Sequence, residues 1–242
     1  MTENVAKVLG LRPPGKIDWE ERKSYIGASE FSDVVGAGEF SCARRLAYSK
    51  LDYEPDFSSE DKMEFRRGRR QEPVAIAYYK EKNPTHKLHD AKTIRLKDKP
   101  HLGVNMDQLI EIPGRDGFGY AEFKCVGKFS FIKIKNEGLY PGWITQVQAG
   151  CKIAGLKYGV YVIFCPEEDE LISWTVEADG ELGEMLIDEG DTFWALHVKT
   201  KILPPPLPEI KNVCIGCDFR KTCRGQSDLS AFKEKKPRKK KE

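Results

Sequence analysis

Two groups of residues carry types and spacings that can do chemistry. The first lies in GVNMDQLIEIPGRDGFGYAEFKCV, which puts Asp107 on one predicted strand and Glu122 with Lys124 on the next. Residues i and i+2 of a strand share a face, so Glu122 and Lys124 project together. A carboxylate pair can hold Mg²⁺ or Mn²⁺ through oxygen ligands while leaving positions for water and phosphate. A nearby ammonium can orient the attacking water and offset the charge that builds up as a phosphodiester is cleaved. The second group is VCIGCDFRKTC, where Cys214, Cys217 and Cys223 form a C-x2-C-x5-C array. Such a trio needs a fourth ligand, and two metals fit: Zn²⁺ held tetrahedrally, or a [4Fe-4S] cluster with one thiolate on each iron. Cys42 is the expected fourth, because SCARRLAYSKL is a polar, basic helix and an odd place for an inert cysteine. Cys125, Cys151 and Cys165 lie among apolar neighbours and read as core.

Simple register works against the acidic pair. A loop over Pro113 to Gly117 pairs Ile112 with Phe118, which sets Asp107 opposite Phe123 and turns it away from Glu122. The site therefore requires a bulge, a different loop length or a bent strand. Burial argues for it: Glu122 and Lys124 sit among Ala121, Phe123, Cys125 and Val126, and charges are seldom buried unless paired or bound to metal. Arg66, Arg67, Arg69 and Arg70 are candidates to line a DNA groove, with Arg69 retained as a contact, although four arginines in five positions cannot all face one side of a helix. The four histidines show no ligand spacing, and no Walker-type phosphate loop occurs, which argues against an ATP motor.

The elements that must position these residues read as follows. Ser29 caps a short helix through SEFSDVV, ended by Gly36 and Gly38, and Ser41 precedes a second helix, CARRLAYSKL. A longer helical stretch runs from about 59 to 82, with Pro73 as a break or kink. TIRLKD, HLGVNMDQLIEI and GFGYAEFKCV read as strands, with PGRD supplying turn chemistry. Pro141 opens the helix PGWITQVQAGCKIAG, YGVYVIF and LISWTVE form a hairpin, and Asp179 caps a last helix to about Val198. ILPPPLPEIKN is too rich in proline for regular structure and reads as a stiff connector. The expected class is α/β.

Composition sets the frame. The 242 residues are 40% hydrophobic and 32% charged, as in a globular protein with a real core. No apolar run reaches the ~18–20 residues of a membrane helix, and the first residues lack the features of a secretory signal, so a cytoplasmic protein is expected. The net charge of +2 is uneven: the last ten residues hold seven Lys/Arg and two Glu, leaving the rest slightly acidic. Nucleic-acid binding therefore cannot be read from the overall charge, and the tail reads as a solvated arm.

The order of motifs carries a resemblance. Gly68-x-x-x-Glu72-Pro73, then Asp107, then Glu122-x-Lys124, then Trp143 with Gln146 and Gln148 on a helix resembles the PD-(D/E)XK nuclease superfamily, in pattern nearest the lambda exonuclease and YqaJ viral recombinase group. YIGASEF is similar to the Gly-x-Ser segment of those proteins. The resemblance implies a PD-(D/E)XK (restriction-endonuclease-like) core with a mixed central β-sheet and a helical N-terminal part. It implies Glu72, Asp107 and Glu122 near Mg²⁺ or Mn²⁺, Lys124 at the attacking water and Gln146 beside the site. Ser29, with Arg44 or Arg45, would lie where the family holds a 5′ phosphate. The related RecB-type nucleases follow the glutamine with a tyrosine four residues on; this chain has Gly150 there.

One cysteine before the core and three after it, with an arginine near the first, resembles the AddB-type and CRISPR spacer-acquisition nucleases, which tips the metal toward [4Fe-4S] in a C-terminal Fe–S module. The implied organisation is an N-terminal segment over 1–24, a nuclease core over 25–203, a cysteine-rich segment over 204–228 completed by Cys42, and a basic tail over 229–242. The implied function is a metal-dependent DNA exonuclease, 5′→3′ by resemblance, acting on linear duplex or single-stranded ends in recombination, repair or CRISPR-type processing. A recombinase, annealing protein or CRISPR integrase as partner, and a homo-oligomer, stay open. The alternatives are a non-catalytic DNA-end-binding or adaptor subunit and a zinc-binding interaction protein.

Overall fold

The structure is a computed structural model that describes residues 19–55, 63–208 and 212–225. The basic tail and most of the N-terminal segment lie outside the described residues. Helix α1 (Trp19–Lys23) leads into β1 (Ile26–Gly27), a 3-10 turn (Ala28–Glu30) and α2 (Phe31–Val35). Ser29 does not cap; the Glu30 carboxylate instead reaches back to accept from the Gly27 N–H at 2.7 Å, and Gly36 ends α2 at φ 71°. Helix α3 (Ala43–Lys50) has Cys42 at its N-cap, and α4 (Met63–Lys82) runs through Pro73 as one element.

Strands β2 (Lys87–Asp90), β3 (Ile94–Arg95), β4 (Leu102–Val104), β5 (Gln108–Glu111) and β6 (Gly119–Cys125) precede α5 (Lys128–Glu137) and α6 (Pro141–Ala154). Strands β7 (Tyr158–Cys165) and β8 (Glu170–Glu177) then lead to α7 (Gly180–Phe193), whose cap is Asp179 accepting from the Leu182 N–H at 3.0 Å. A π-helical turn (Trp194–Lys199) follows, then the proline connector and two short helices, α8 (Asn212–Ile215) and α9 (Arg220–Arg224).

The strands form a small sheet, β1-β4-β3, and a mixed five-stranded sheet, β2-β5-β6-β7-β8, in which β6 and β7 pair in parallel and the other neighbours are antiparallel. HLGVNMDQLIEI, read as one strand, is therefore two: β4 belongs to the small sheet and β5 to the large one. The chain changes sheet over Asn105–Asp107. One face of the large sheet (Ala121, Phe123, Val160, Val162) packs under Ala75 and Tyr79 of α4. The other (Tyr120, Tyr161, Ile163) packs with Val147 of α6, Leu186 of α7 and Phe31 of α2. Strand β7 is buried along its whole length, as a strand covered on both faces must be. Among the described residues no helix is long and apolar enough to cross a membrane.

Candidate active site

The β5–β6 register resolves the conflict over Asp107. Ile110 pairs with Gly119 and Gln108 with Ala121, one position away from the simple loop model, because the connection is longer and carries Gly114 and Gly117 at positive φ. Side chains alternate with a period of two, so this single step moves Asp107 from the far face to the position beside Glu122. Asp107 lies just outside β5, where the chain turns from one sheet to the other. There its Oδ2 accepts the Phe123 N–H at 2.8 Å, standing in for the backbone acceptor that β5 does not provide.

Glu122 is 4% exposed and engaged on both oxygens. Lys124 Nζ lies 2.5 Å from Oε1, and the Tyr120 hydroxyl donates to Oε2. Tyr120 in turn accepts from Gln146 Nε2 at 3.0 Å, and Tyr161 donates to Gln146 Oε1 at 2.8 Å. Trp143 stacks on Tyr161 with centroids 5.4 Å apart and planes 7° from parallel. The chain Lys124–Glu122–Tyr120–Gln146–Tyr161 thus links the sheet to α6.

Burial, with the charges of Glu122 and Glu72, pushes the Asp107 carboxyl well above its ordinary value. Burial works against the Lys124 ammonium, but Glu122, Asp107 and Glu72 together outweigh it, so Lys124 is raised and stays charged. Burial also holds the Tyr120 and Tyr161 hydroxyls well above their usual range, as protonated donors. Glu72 comes from α4, on the opposite face, yet its charge reaches Asp107 and Lys124. Asp107 and Glu122, with the charge of Glu72 reaching Asp107 and Lys124, set oxygen donors against one ammonium; that chemistry suits a hard divalent cation, although among the described residues no three acidic side chains converge tightly enough to close a metal site.

Gln146 is buried behind Glu122, with both amide ends used by tyrosines. Gln148 is equally buried, and its amide bonds the Glu177 carbonyl and the Asp179 N–H, tying β8 to α7. Gly150, where the RecB-type pattern has tyrosine, faces the Tyr120 ring: a Cβ there would lie 3.3 Å from it. The tyrosine partners of Gln146 come from the sheet. Sequence reasoning passed over Tyr120 and Tyr161, although a signal existed: Tyr120 is two residues before Glu122 on the same strand.

The other candidates sit apart from this chain of contacts. Ser29 is exposed on its 3-10 turn, which packs against α6. Arg44 donates to the Pro204 carbonyl at 2.6 Å and to the Tyr48 hydroxyl. Arg45 holds both oxygens of Asp33, at 2.7 and 2.8 Å, and Asp33 also accepts the Cys42 N–H at 2.7 Å. Arg44 thus serves the join between α3 and the C-terminal segment, whereas Arg45 ties α3 to α2 at its edge. Arg69 lies on α4, but its side chain is outside the described residues.

That join encloses a cavity lined by Cys42, Cys214, Cys217 and Cys223, with Arg44, Arg45, Arg220 and Arg224 around them. Burial raises the Cys217 thiol, with Arg45 pulling the other way. Tyr48 packs on Phe219 across the same join, at a centroid distance of 5.3 Å. Among the described residues no group of three or more His, Cys, Asp or Glu side chains is drawn together tightly enough to hold a metal ion. The thiols line the cavity without forming a closed ligand shell.

Solved structures with this fold include the alkaline exonuclease of Laribacter hongkongensis. It is 20% identical, with 76% of this chain covering 93% of that one at a TM-score of 0.61, and its complex with dAMP gives 0.62. A phage-related exonuclease from Haemophilus somnus 129PT is 11% identical, with 76% of this chain covering 99% of that one at a TM-score of 0.53. No curated protein matches the chain in sequence. The YqaJ-like viral recombinase domain matches residues 18–157, which contain the 3-10 turn of Ser29, helix α4 with Glu72, the Asp107–Glu122–Lys124 hairpin and Gln146. With more than half its length so matched, the chain belongs to the YqaJ-like viral recombinase domain family.

Proposed function

We propose that this protein is a divalent-metal-dependent DNA exonuclease with Glu72, Asp107, Glu122 and Lys124 at its centre. The observation that carries the reading is the register that brings Asp107 beside Glu122 and Lys124 at the sheet junction. Family membership and the fold shared with two exonucleases support it. Asp107 and Glu122 would hold Mg²⁺ or Mn²⁺, with Glu72 assisting. The bound cation would supply Lewis acidity to the phosphodiester and lower the pKa of the attacking water. Lys124, kept charged by the three carboxylates, would orient that water and donate to the phosphoryl oxygens as their charge grows. The products would be a 3′-hydroxyl and a 5′-phosphate. Exonuclease action is favoured by the fold shared with exonucleases, and 5′→3′ polarity follows the family likeness. The role would be in recombination.

Cys42, Cys214, Cys217 and Cys223 would hold a [4Fe-4S] cluster, with Zn²⁺ as the alternative, pinning the C-terminal segment to α3. Support comes from the shared cavity and from the arginines around it, which suit a negatively charged thiolate cluster. The family match ends at residue 157, ahead of three of the four cysteines, so this part rests on the cavity alone.

The test is degradation of linear DNA labelled at the 5′ or 3′ end, with Mn²⁺, using anaerobically purified protein beside Lys124→Ala. Wild type should remove label and Lys124→Ala should be slower by ~10²-fold or more. Equal cutting would refute the lysine assignment. If neither cuts and both bind DNA ends, the protein is an end-binding subunit. A brown protein absorbing broadly near ~400 nm would support the iron–sulfur cluster; a colourless, zinc-loaded one would overturn it.

A further inference from the structure

The two groups on Glu122 differ in kind. Lys124 is the outer one: its side chain keeps 30% of its surface in solvent. Tyr120 is the inner one, with no exposure at all, and its hydroxyl both donates to Glu122 and accepts from Gln146. Gln146 is held from its other end by Tyr161, the direct neighbour of Glu122 across the parallel β6–β7 pair. Tyr161 is itself fixed by the Trp143 ring. Tyr120, Gln146 and Tyr161 are all buried on a strand or helix, and Gly150 on α6 leaves the room that the Tyr120 ring occupies. A lysine that turns its other N–H donors to water and phosphate during the reaction holds Glu122 less firmly. When it does, the carboxylate keeps its orientation only if something else holds it.

We propose that Tyr120, backed by Gln146 and Tyr161, is a positioning residue. It fixes the Glu122 carboxylate for the cation and frees Lys124 for the substrate. This rests on the metal-site reading above. Outer-shell partners of metal ligands typically change affinity or activity by 10–100-fold when removed. The expectation therefore divides: loss of the Tyr120 hydroxyl should weaken cation binding, whereas loss of the Lys124 ammonium should slow turnover without weakening cation binding.

Mn²⁺ binding to the full-length protein would be measured by the loss of the free-ion electron paramagnetic resonance signal. An Asp107→Asn/Glu122→Gln double variant would define the background. Tyr120→Phe should raise the Mn²⁺ dissociation constant by about 10-fold or more. Tyr161→Phe should show a smaller shift in the same direction. Lys124→Met should slow turnover without weakening Mn²⁺ binding. Tyr158→Phe removes a buried hydroxyl that bonds the Ile110 carbonyl in the same sheet; it should lower stability without moving the Mn²⁺ affinity. Unchanged Mn²⁺ binding in Tyr120→Phe, or an equal shift in Tyr158→Phe, would overturn the proposal. If wild type binds no more Mn²⁺ than the double variant, the metal-site reading itself fails, and this inference with it.

Discussion

Replacing Gly190 with alanine should change stability in a direction set by one neighbouring ring. Gly190 lies inside α7, against α2 and β4. A Cβ built there falls 2.7 Å from Phe31 Cε1, 3.0 Å from its Cζ and 3.1 Å from Leu102 Cδ2. Carbon atoms prefer about 3.5–4.0 Å, so the ring must retreat by roughly 0.8 Å. Phe31 has no exposed surface and packs in the main core, which leaves it nowhere to go. Overpacking of this kind costs ~1–3 kcal/mol, whereas glycine to alanine in a helix gains about 1 kcal/mol. The net expectation for Gly190→Ala is a loss of about 0–2 kcal/mol. In a Phe31→Leu background the aromatic edge is gone and the helix gain survives, so the same substitution should become neutral or stabilising by up to ~1 kcal/mol. Urea unfolding of the four proteins in this cycle measures the coupling. If the effect of Gly190→Ala has the same sign and size in both backgrounds, the close approach of α7 to α2 is not what requires glycine.

Arg45→Ala should destabilise by ~2–3 kcal/mol, because it strands the buried Asp33 carboxylate that also holds the Cys42 N–H, and Asp33→Asn with Arg45→Ala should recover part of the loss in a thermal melt. The Asp191 carboxyl is held below its ordinary value by His101 and Lys99, which outweigh its desolvation, so its contribution is present above about pH 4 and fades as pH falls through the folded value. Asp191→Asn should therefore flatten stability against pH on the acid side, and an unchanged acid limb would contradict this. Gly150→Ala gains helix propensity but crowds the Tyr120 ring at 3.3 Å; stability should hold within about 1 kcal/mol while the half-saturating Mn²⁺ concentration rises. Unaltered metal dependence would show that the ring has room to yield.

Much of this architecture was legible from local rules. Pro141 and Gly155 bracket α6 as their backbone preferences require, with Gly155 at φ 67°. Asp179 caps α7, and Glu122 and Lys124 meet because strand side chains repeat every two residues. What escaped depended on distant parts of the chain. The offset of β5 against β6 is set by a loop whose length no local signal fixes, and one step of slip reverses every face. The division of 101–112 between two sheets was hidden because both halves have strand-like composition. Strand β2, with one half-buried and three exposed residues, owes its existence to pairing with β5 rather than to its own sequence. Arg44 and Arg45 read as phosphate ligands by charge, yet the partners they find, Pro204 and Asp33, come from other elements. The arginine in the first case bridges 160 positions, a distance at which sequence pattern says nothing.

The meeting of α3 with the C-terminal segment also sets an order of events at the ribosome. Cys42 emerges about 170 residues before Cys214. At typical rates of synthesis that gap lasts roughly 10–30 s, long enough for the sheet and its helices to assemble first. During that interval Arg44, Tyr48 and Cys42 wait at a half-built surface, and the partners that close it are made after every strand. Completion of this corner is therefore a signal that both sheets have been translated. A prematurely terminated product would keep its acidic centre but leave that surface open, a natural point for quality control to recognise it.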